Sequence, residues 1–134
     1  MGLSVLIVDD YIGTALLLNK AFEMQEVKSE YCTSSSEALK LLDKNDYDYV
    51  ILDILINGDP NNGIMLYDYI HNKFPSMKVV FITGCNRNSE QVLKAGQRAP
   101  VVFKRFVLKD FVKDVLYGRY YDESSVKEPE AAMA

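Results

Sequence analysis

Four short apolar runs in this sequence each end on a residue equipped for polar chemistry. Leu3 to Val8 runs into Asp9-Asp10, Tyr49 to Leu52 into Asp53, Val79 to Ile82 into Thr83-Gly84, and Val101 to Phe103 into Lys104. Three carboxylates brought together repel one another, and their pKa values rise unless a cation sits among them. A hard divalent cation with oxygen ligands resolves that conflict, and Mg²⁺ favours few carboxylates, several waters and a phosphate oxygen. One lysine cannot neutralise three acids, but it can hold an anion that arrives between itself and the metal. A threonine hydroxyl can donate to the same anion. A carboxylate nucleophile, a metal and a cationic clamp are the parts that phosphoryl transfer requires.

These residues can meet only if the chain folds so that the ends of the runs converge. Between the runs lie segments with helical spacing. Ile12 to Met24 puts Ala15, Leu18 and Phe22 on one face. After a second strand at Val27 to Cys32, Ser34 to Glu37 fits a capping box and opens a helix with Ala38, Leu41 and Leu42 inward. The stretch Asn57 to Gly63 holds turn-forming residues and predicts a loop, followed by a helix from Ile64 to Phe74 that Pro75 stops. A weaker helix is expected over Arg87 to Ala95, ended by Gly96. The last places Leu108, Phe111, Val112, Val115 and Leu116 on one stripe. Five strands alternating with five helices predict an α/β fold, a doubly wound five-stranded parallel sheet with helices on both faces. The flavodoxin-like (βα)5 strand order 2-1-3-4-5 suits it.

In such a sheet ligands bind beyond the carboxyl ends of the strands, where the strand order reverses. The first and third strands are neighbours there, so Asp9, Asp10 and Asp53 should crowd one corner. With the runs Val5-Leu-Ile-Val-Asp9-Asp10, Val50-Ile-Leu-Asp53, Val80-Phe-Ile-Thr83-Gly84 and Val102-Phe-Lys104 in place, residues 3 to 117 resemble the bacterial receiver family of response regulators (CheY-like). The resemblance implies that Asp53 is the phosphoacceptor. It implies that Asp10 binds Mg²⁺ directly, that Asp9 helps directly or through a water, and that the Leu55 carbonyl completes the protein ligands. Lys104 would pair with the phosphoryl group, and Thr83 would turn inward to hydrogen-bond it. The implied partners are a histidine kinase or histidine phosphotransfer protein as donor and a downstream protein target. The chain would act in two-component or phosphorelay signalling, as a monomer or weak homodimer, and would catalyse only its own phosphorylation and dephosphorylation.

The sequence departs from the family in three places. Arg105 follows Lys104 where most members have proline, and a cis bond before a non-proline residue would cost about 2.5–4 kcal/mol. Val101 stands at the family's aromatic switch position. The loop after Asp53 lacks the usual proline and is longer than common, and its Asp59 is either a further acid for the site or a solvated charge. These departures motivate a second reading, a receiver-like interaction module that works without phosphate. Retention of all five chemical positions weighs against it. A flavodoxin-like cofactor binder is more remote, because Asp9-Asp10-Tyr11-Ile12-Gly13 offers acids where a cofactor phosphate needs backbone amides.

The remaining features fit the same picture. The chain has 134 residues, enough for one domain, with 49% hydrophobic and 25% charged residues and a net charge of −4. That charge gives no electrostatic reason to expect nucleic acid or an anionic membrane as partner. No apolar run is long enough to span a bilayer, the start has no signal-peptide pattern, and Cys32, Cys85 and the single His71 form no metal or disulfide pattern. A cytoplasmic setting is the expectation. Individually, Asp9-Asp10 could be a helix cap, Asp53 a loop acid, and Lys104 a solvated strand-end charge. Cys85 is expected to be a small side chain near the site and His71 a surface residue. Residues 1 to 118 should form the domain and 119 to 134 a short, poorly ordered tail, with Tyr117, Tyr120 and Tyr121 packing on the body.

Overall fold

Each apolar run becomes a strand because it can be covered on both faces. In a computed structural model, which describes residues 2–56 and 60–121, the strands are β1 (Ser4–Val8), β2 (Lys28–Cys32), β3 (Tyr49–Asp53), β4 (Lys78–Thr83) and β5 (Val101–Phe103). The helices between and after them are α1 (Ile12–Met24), α2 (Ser35–Lys44), α3 (Pro60–Lys73), α4 (Glu90–Gly96) and α5 (Leu108–Leu116). All strand pairs are parallel, and the order across the sheet is β2-β1-β3-β4-β5. The predicted fold class and strand order are those observed.

Side chains alternate across a strand, so the central runs feed two cores at once. Val5 and Ile7 of β1, Tyr49 and Ile51 of β3, and Val80 and Ile82 of β4 face Ala15, Leu18 and Phe22 of α1 and Phe111, Val112 and Val115 of α5. Leu6 and Val8, Val50 and Leu52, and Val79 and Phe81 face the other way, onto Ala38 and Leu42 of α2, Leu66 and Ile70 of α3, and Val92 and Ala95 of α4. The register Val5↔Tyr49 through Val8↔Leu52 brings the ends of β1 and β3 level. Asp9 and Asp53 therefore emerge side by side.

Local signals set most helix starts. Ser34 accepts the Glu37 N–H at 3.2 Å, while the Glu37 carboxylate accepts the Thr33 N–H at 3.1 Å. Two helix starts differ from expectation. The third helix begins at Pro60 rather than Ile64, so the expected loop is cut short. Proline suits the first position of a helix, where its missing N–H is not needed. The fourth helix begins at Glu90, three residues later than the periodicity suggests, because Ser89 caps it by accepting the Val92 N–H at 3.3 Å. It runs through Gly96, the residue expected to stop it, and ends at Gln97.

The body continues past residue 118. Tyr120 packs on Phe111 with ring centroids 5.9 Å apart. Tyr121 stands edge-on to Tyr49 at 6.3 Å, and its hydroxyl donates to the Val79 carbonyl and accepts the Val79 N–H at 3.1 Å. Tyr117 is exposed. The rest of the expected tail, and Asp59, lie outside the described residues. No described helix is long and apolar enough to cross a membrane.

Candidate functional site

Asp9 and Asp53 are among the few buried polar side chains of the described chain, at 0% and 2% exposure, and Thr83 at 0% is the third. Two buried carboxylates require partners, and both find the same one. The Lys104 ammonium lies 3.0 Å from Asp9 Oδ2 and 3.2 Å from Asp53 Oδ2. The other oxygen of each acid is held by backbone two residues on. Asp9 Oδ1 accepts the Tyr11 N–H at 2.9 Å, and Asp53 Oδ1 accepts the Leu55 N–H at 3.2 Å. Lys104 is kept in register because its own N–H donates to the Thr83 carbonyl at 2.8 Å.

One ammonium cannot balance two buried acids, and Asp10 adds a third, exposed one. Burial and the neighbouring Asp9 charge push the Asp53 carboxyl up from 3.8 to about 7, with Lys104 only partly opposing them. Burial works against the Lys104 ammonium, but Asp53 and Asp9 outweigh it and hold its pKa above the ordinary value. Asp9 Oδ2 is buried without a well-directed hydrogen bond despite its 3.0 Å contact with the ammonium. Carboxylate oxygens of Asp9, Asp10 and Asp53 lie within 4.8 Å of one another. An all-oxygen set, in excess negative charge and with one under-satisfied buried oxygen, fits a hard divalent cation such as Mg²⁺.

The acids open onto a cleft of about 360 Å³ lined by Asp10, Asp53, Leu55, Gly84, Cys85 and Lys104. Every predicted site residue is at this corner or beside it. Asp10 is the solvent-facing acid, whereas Asp9 sits beneath it. Leu55 lines the cleft as well. Thr83 is fully buried at the end of β4, and its hydroxyl oxygen accepts the Cys85 N–H at 2.9 Å. That bond uses the hydroxyl oxygen as acceptor and leaves its proton free to donate. The peptide joining Lys104 to Arg105 is trans, as are all those described.

One positioning residue is invisible in the side-chain pattern. A Cβ on Gly63 would lie 2.4 Å from the Asp53 carbonyl oxygen and 2.5 Å from that of Ile54. The Gly63 N–H donates to the Ile54 carbonyl at 3.1 Å. The first turn of α3 thus presses directly on the backbone that carries Asp53, which only glycine permits. Its sequence signal is a lone glycine just ahead of the apolar stripe of α3, but among Pro60-Asn-Asn-Gly63 it passes for a turn residue.

Residues 5–119 match the family described as the response regulator receiver domain. The chain belongs to that family. The receiver domain is 32% identical over 82 residues to an NtrX-like response regulator of Rickettsia felis, an alignment covering 61% of the chain and 17% of the relative. The corresponding protein of Rickettsia conorii is 30% identical over the same length. The chain therefore spans about a sixth of the curated relatives it matches. Among solved structures, the receiver domain of NtrX from Brucella abortus superposes with a TM-score of 0.75 at 24% identity, covering 85% of this chain and 95% of that one. A CheY-like receiver protein from Methanospirillum hungatei gives 0.72 at 21% identity, covering 98% and 99%. At these identities the structural likeness speaks for the fold. Membership of the family makes this receiver domain a module of two-component phosphosignalling.

Proposed function

We propose that Asp53 accepts a phosphoryl group from a phosphohistidine, on a histidine kinase or a histidine phosphotransfer protein, and that the loaded site alters contacts with a downstream protein. The observation that carries this reading is the pair of buried carboxylates sharing one ammonium at the mouth of a cleft. Mg²⁺, held by Asp9, Asp10, Asp53 and the Leu55 carbonyl, would supply the charge that lets an anionic phosphoryl group approach three acids. Asp53 is the nucleophile because it alone is both buried at the cleft floor and part of its lining. The Leu55 N–H fixes one of its oxygens, so the carboxylate is oriented before the donor arrives. Lys104 would exchange its contact with Asp53 for the phosphoryl oxygens, and the Thr83 hydroxyl would donate to them. The Asp53–phosphorus bond forms as the bond from the donor's imidazole nitrogen breaks, and the imidazole takes up a proton on leaving.

Donor docking is supported by exposed apolar side chains on the helices that start just after the site residues. Tyr11, Ile12 and Leu16 lie at the start of α1 after Asp10, and Val107 caps α5 after Lys104. The domain would catalyse only its own phosphorylation and dephosphorylation. Mass measurement after incubation with a small acyl phosphate and Mg²⁺ tests the proposal. The wild type should gain one phosphoryl group and Asp53→Asn none. An unmodified wild type would leave the phosphate-independent interaction module as the better description.

A further inference from the structure

We propose that the exposed ring of Tyr11 is the platform on which the donor's imidazole rests, and that it makes the domain select donors whose leaving group is an aromatic ring. The inference deepens the reading of Asp53 as phosphoacceptor and rests on it. In an in-line transfer the leaving nitrogen departs opposite the attacking Asp53 oxygen. Asp53 lies at the cleft floor, so the leaving ring sits outward of it, at the rim. The exposed apolar side chains nearest in sequence to the site acids and Lys104 are Tyr11, Ile12, Leu55 and Val107, and of these only Tyr11 is aromatic. Phe106, just after Lys104, is already taken up in a stack on Phe111 with ring centroids 4.5 Å apart.

The backbone of Tyr11 is tied to the site. Its N–H donates to Asp9 Oδ1 at 2.9 Å, and its carbonyl accepts the Thr14 and Ala15 N–H groups at 3.1 and 3.2 Å. The ring is placed by Gly13. A Cβ on that glycine would lie 3.0 Å from Cε2 of the ring and 3.4 Å from Cζ. The ring therefore rests on the bare first turn of α1, where the missing side chain leaves room for it. It does nothing for the helix itself. Tyr11 holds the N-cap position, which favours Ser, Thr, Asp and Asn, and its side chain makes no cap bond. It is 67% exposed, and no described cation or aromatic ring pairs with it. A ring held against the helix yet left uncovered has surface to offer a ligand. The chemistry of the transfer suits it. As the Asp53 oxygen–phosphorus bond forms and the phosphorus–nitrogen bond breaks, the imidazole takes up a proton and becomes a flat cation. The tyrosine ring attracts both properties, through stacking and through its negative face. Ammonia leaving from phosphoramidate has no ring to stack.

The test compares two small donors on the full chain with Mg²⁺. Phosphoimidazole and phosphoramidate both break a phosphorus–nitrogen bond, but only the first releases a ring. The readout is the ratio of their rates of phosphoryl uptake, followed by mass, and a loss of folded protein cancels in that ratio. Tyr11→Ala should lower the phosphoimidazole-to-phosphoramidate ratio by about three- to tenfold, the range one ring contact supplies. Tyr11→Phe should restore it. Gly13→Leu, which puts a side chain where the ring rests, should lower it as well. Leu93→Ala, an exposed apolar residue on α4, should keep the wild-type ratio. An unchanged ratio in Tyr11→Ala would overturn the proposal while leaving Asp53 as the acceptor, as would an equal fall in Leu93→Ala. A wild type that takes phosphate from neither donor would overturn the acceptor reading and this inference with it.

Discussion

At the scale of the residue, the site is a charge imbalance held in place by packing. Asp53 stays protonated in the folded metal-free domain up to about 7, whereas an unfolded chain gives up that proton near 3.8. Between those values the folded state binds more protons than the unfolded state. Stability must therefore fall as pH rises through this window and level off above it. The three-unit gap sets a ceiling on the order of 4 kcal/mol. Denaturant unfolding in a chelator, at pH 5 and pH 8, should show this loss in the wild type and a much smaller one in Asp53→Asn. Lys104→Met should behave in the opposite sense to a repair. With the ammonium gone, two buried acids face each other, and at pH 8 the variant should lose about 3–5 kcal/mol relative to wild type. The loss should shrink at pH 5, where Asp53 is neutral. Much of this was legible in the sequence, because each acid and the lysine end an apolar run that has no other use for a charge. What the sequence withheld was the pairing. Nothing in the order of residues says that Asp9, rather than Asp10, shares the ammonium with Asp53, because that depends on which of two adjacent side chains turns under the sheet.

At the scale of the element, the informative contact is between the first turn of α3 and the end of β3. Gly63→Ala would drive a methyl group into two carbonyl oxygens, so α3 or the Asp53 backbone must shift. Equilibrium unfolding should register a loss of about 1–3 kcal/mol, and phosphoryl uptake from a small donor should fall with it. Gly96→Ala is the matched control. A Cβ there meets nothing within 4 Å, and the residue is helical, so the substitution should stabilise by about 0.5–1 kcal/mol and leave uptake unchanged. The strands and α1, α2 and α5 follow from periodicity because their apolar stripes are complete. The starts of α3 and α4 do not. Pro60-Asn-Asn-Gly63 has turn chemistry by composition, and the contact of Gly63 with the Asp53 backbone, which no sequence pattern shows, fixes those residues against β3. The opposite happened in α4, where the Ser89 cap was written in the sequence but the residues before it, Arg87 and Asn88, blurred the start.

At the scale of the molecule, the proposed function links metal and fold through one equilibrium. A cation that binds only the folded state must stabilise it, by about 2.7 kcal/mol at a hundred times its dissociation constant. Thermal unfolding should move upward with added Mg²⁺, return on chelation, and respond far less in Asp10→Asn, which removes the solvent-facing acid. The same arrangement decides which side of the site can yield. β3 has a neighbour on each side and all five of its residues are buried, so Asp53 stands on the least movable part of the domain. β5 has three residues and one neighbour, and Lys104 hangs from its end. On the proposed function, the acceptor is thus an anvil and the lysine a hinged arm. When a doubly charged group lands between them, displacement runs outward along the sheet margin, and amide exchange should quicken or slow in residues 104–107 while β3 keeps its protection.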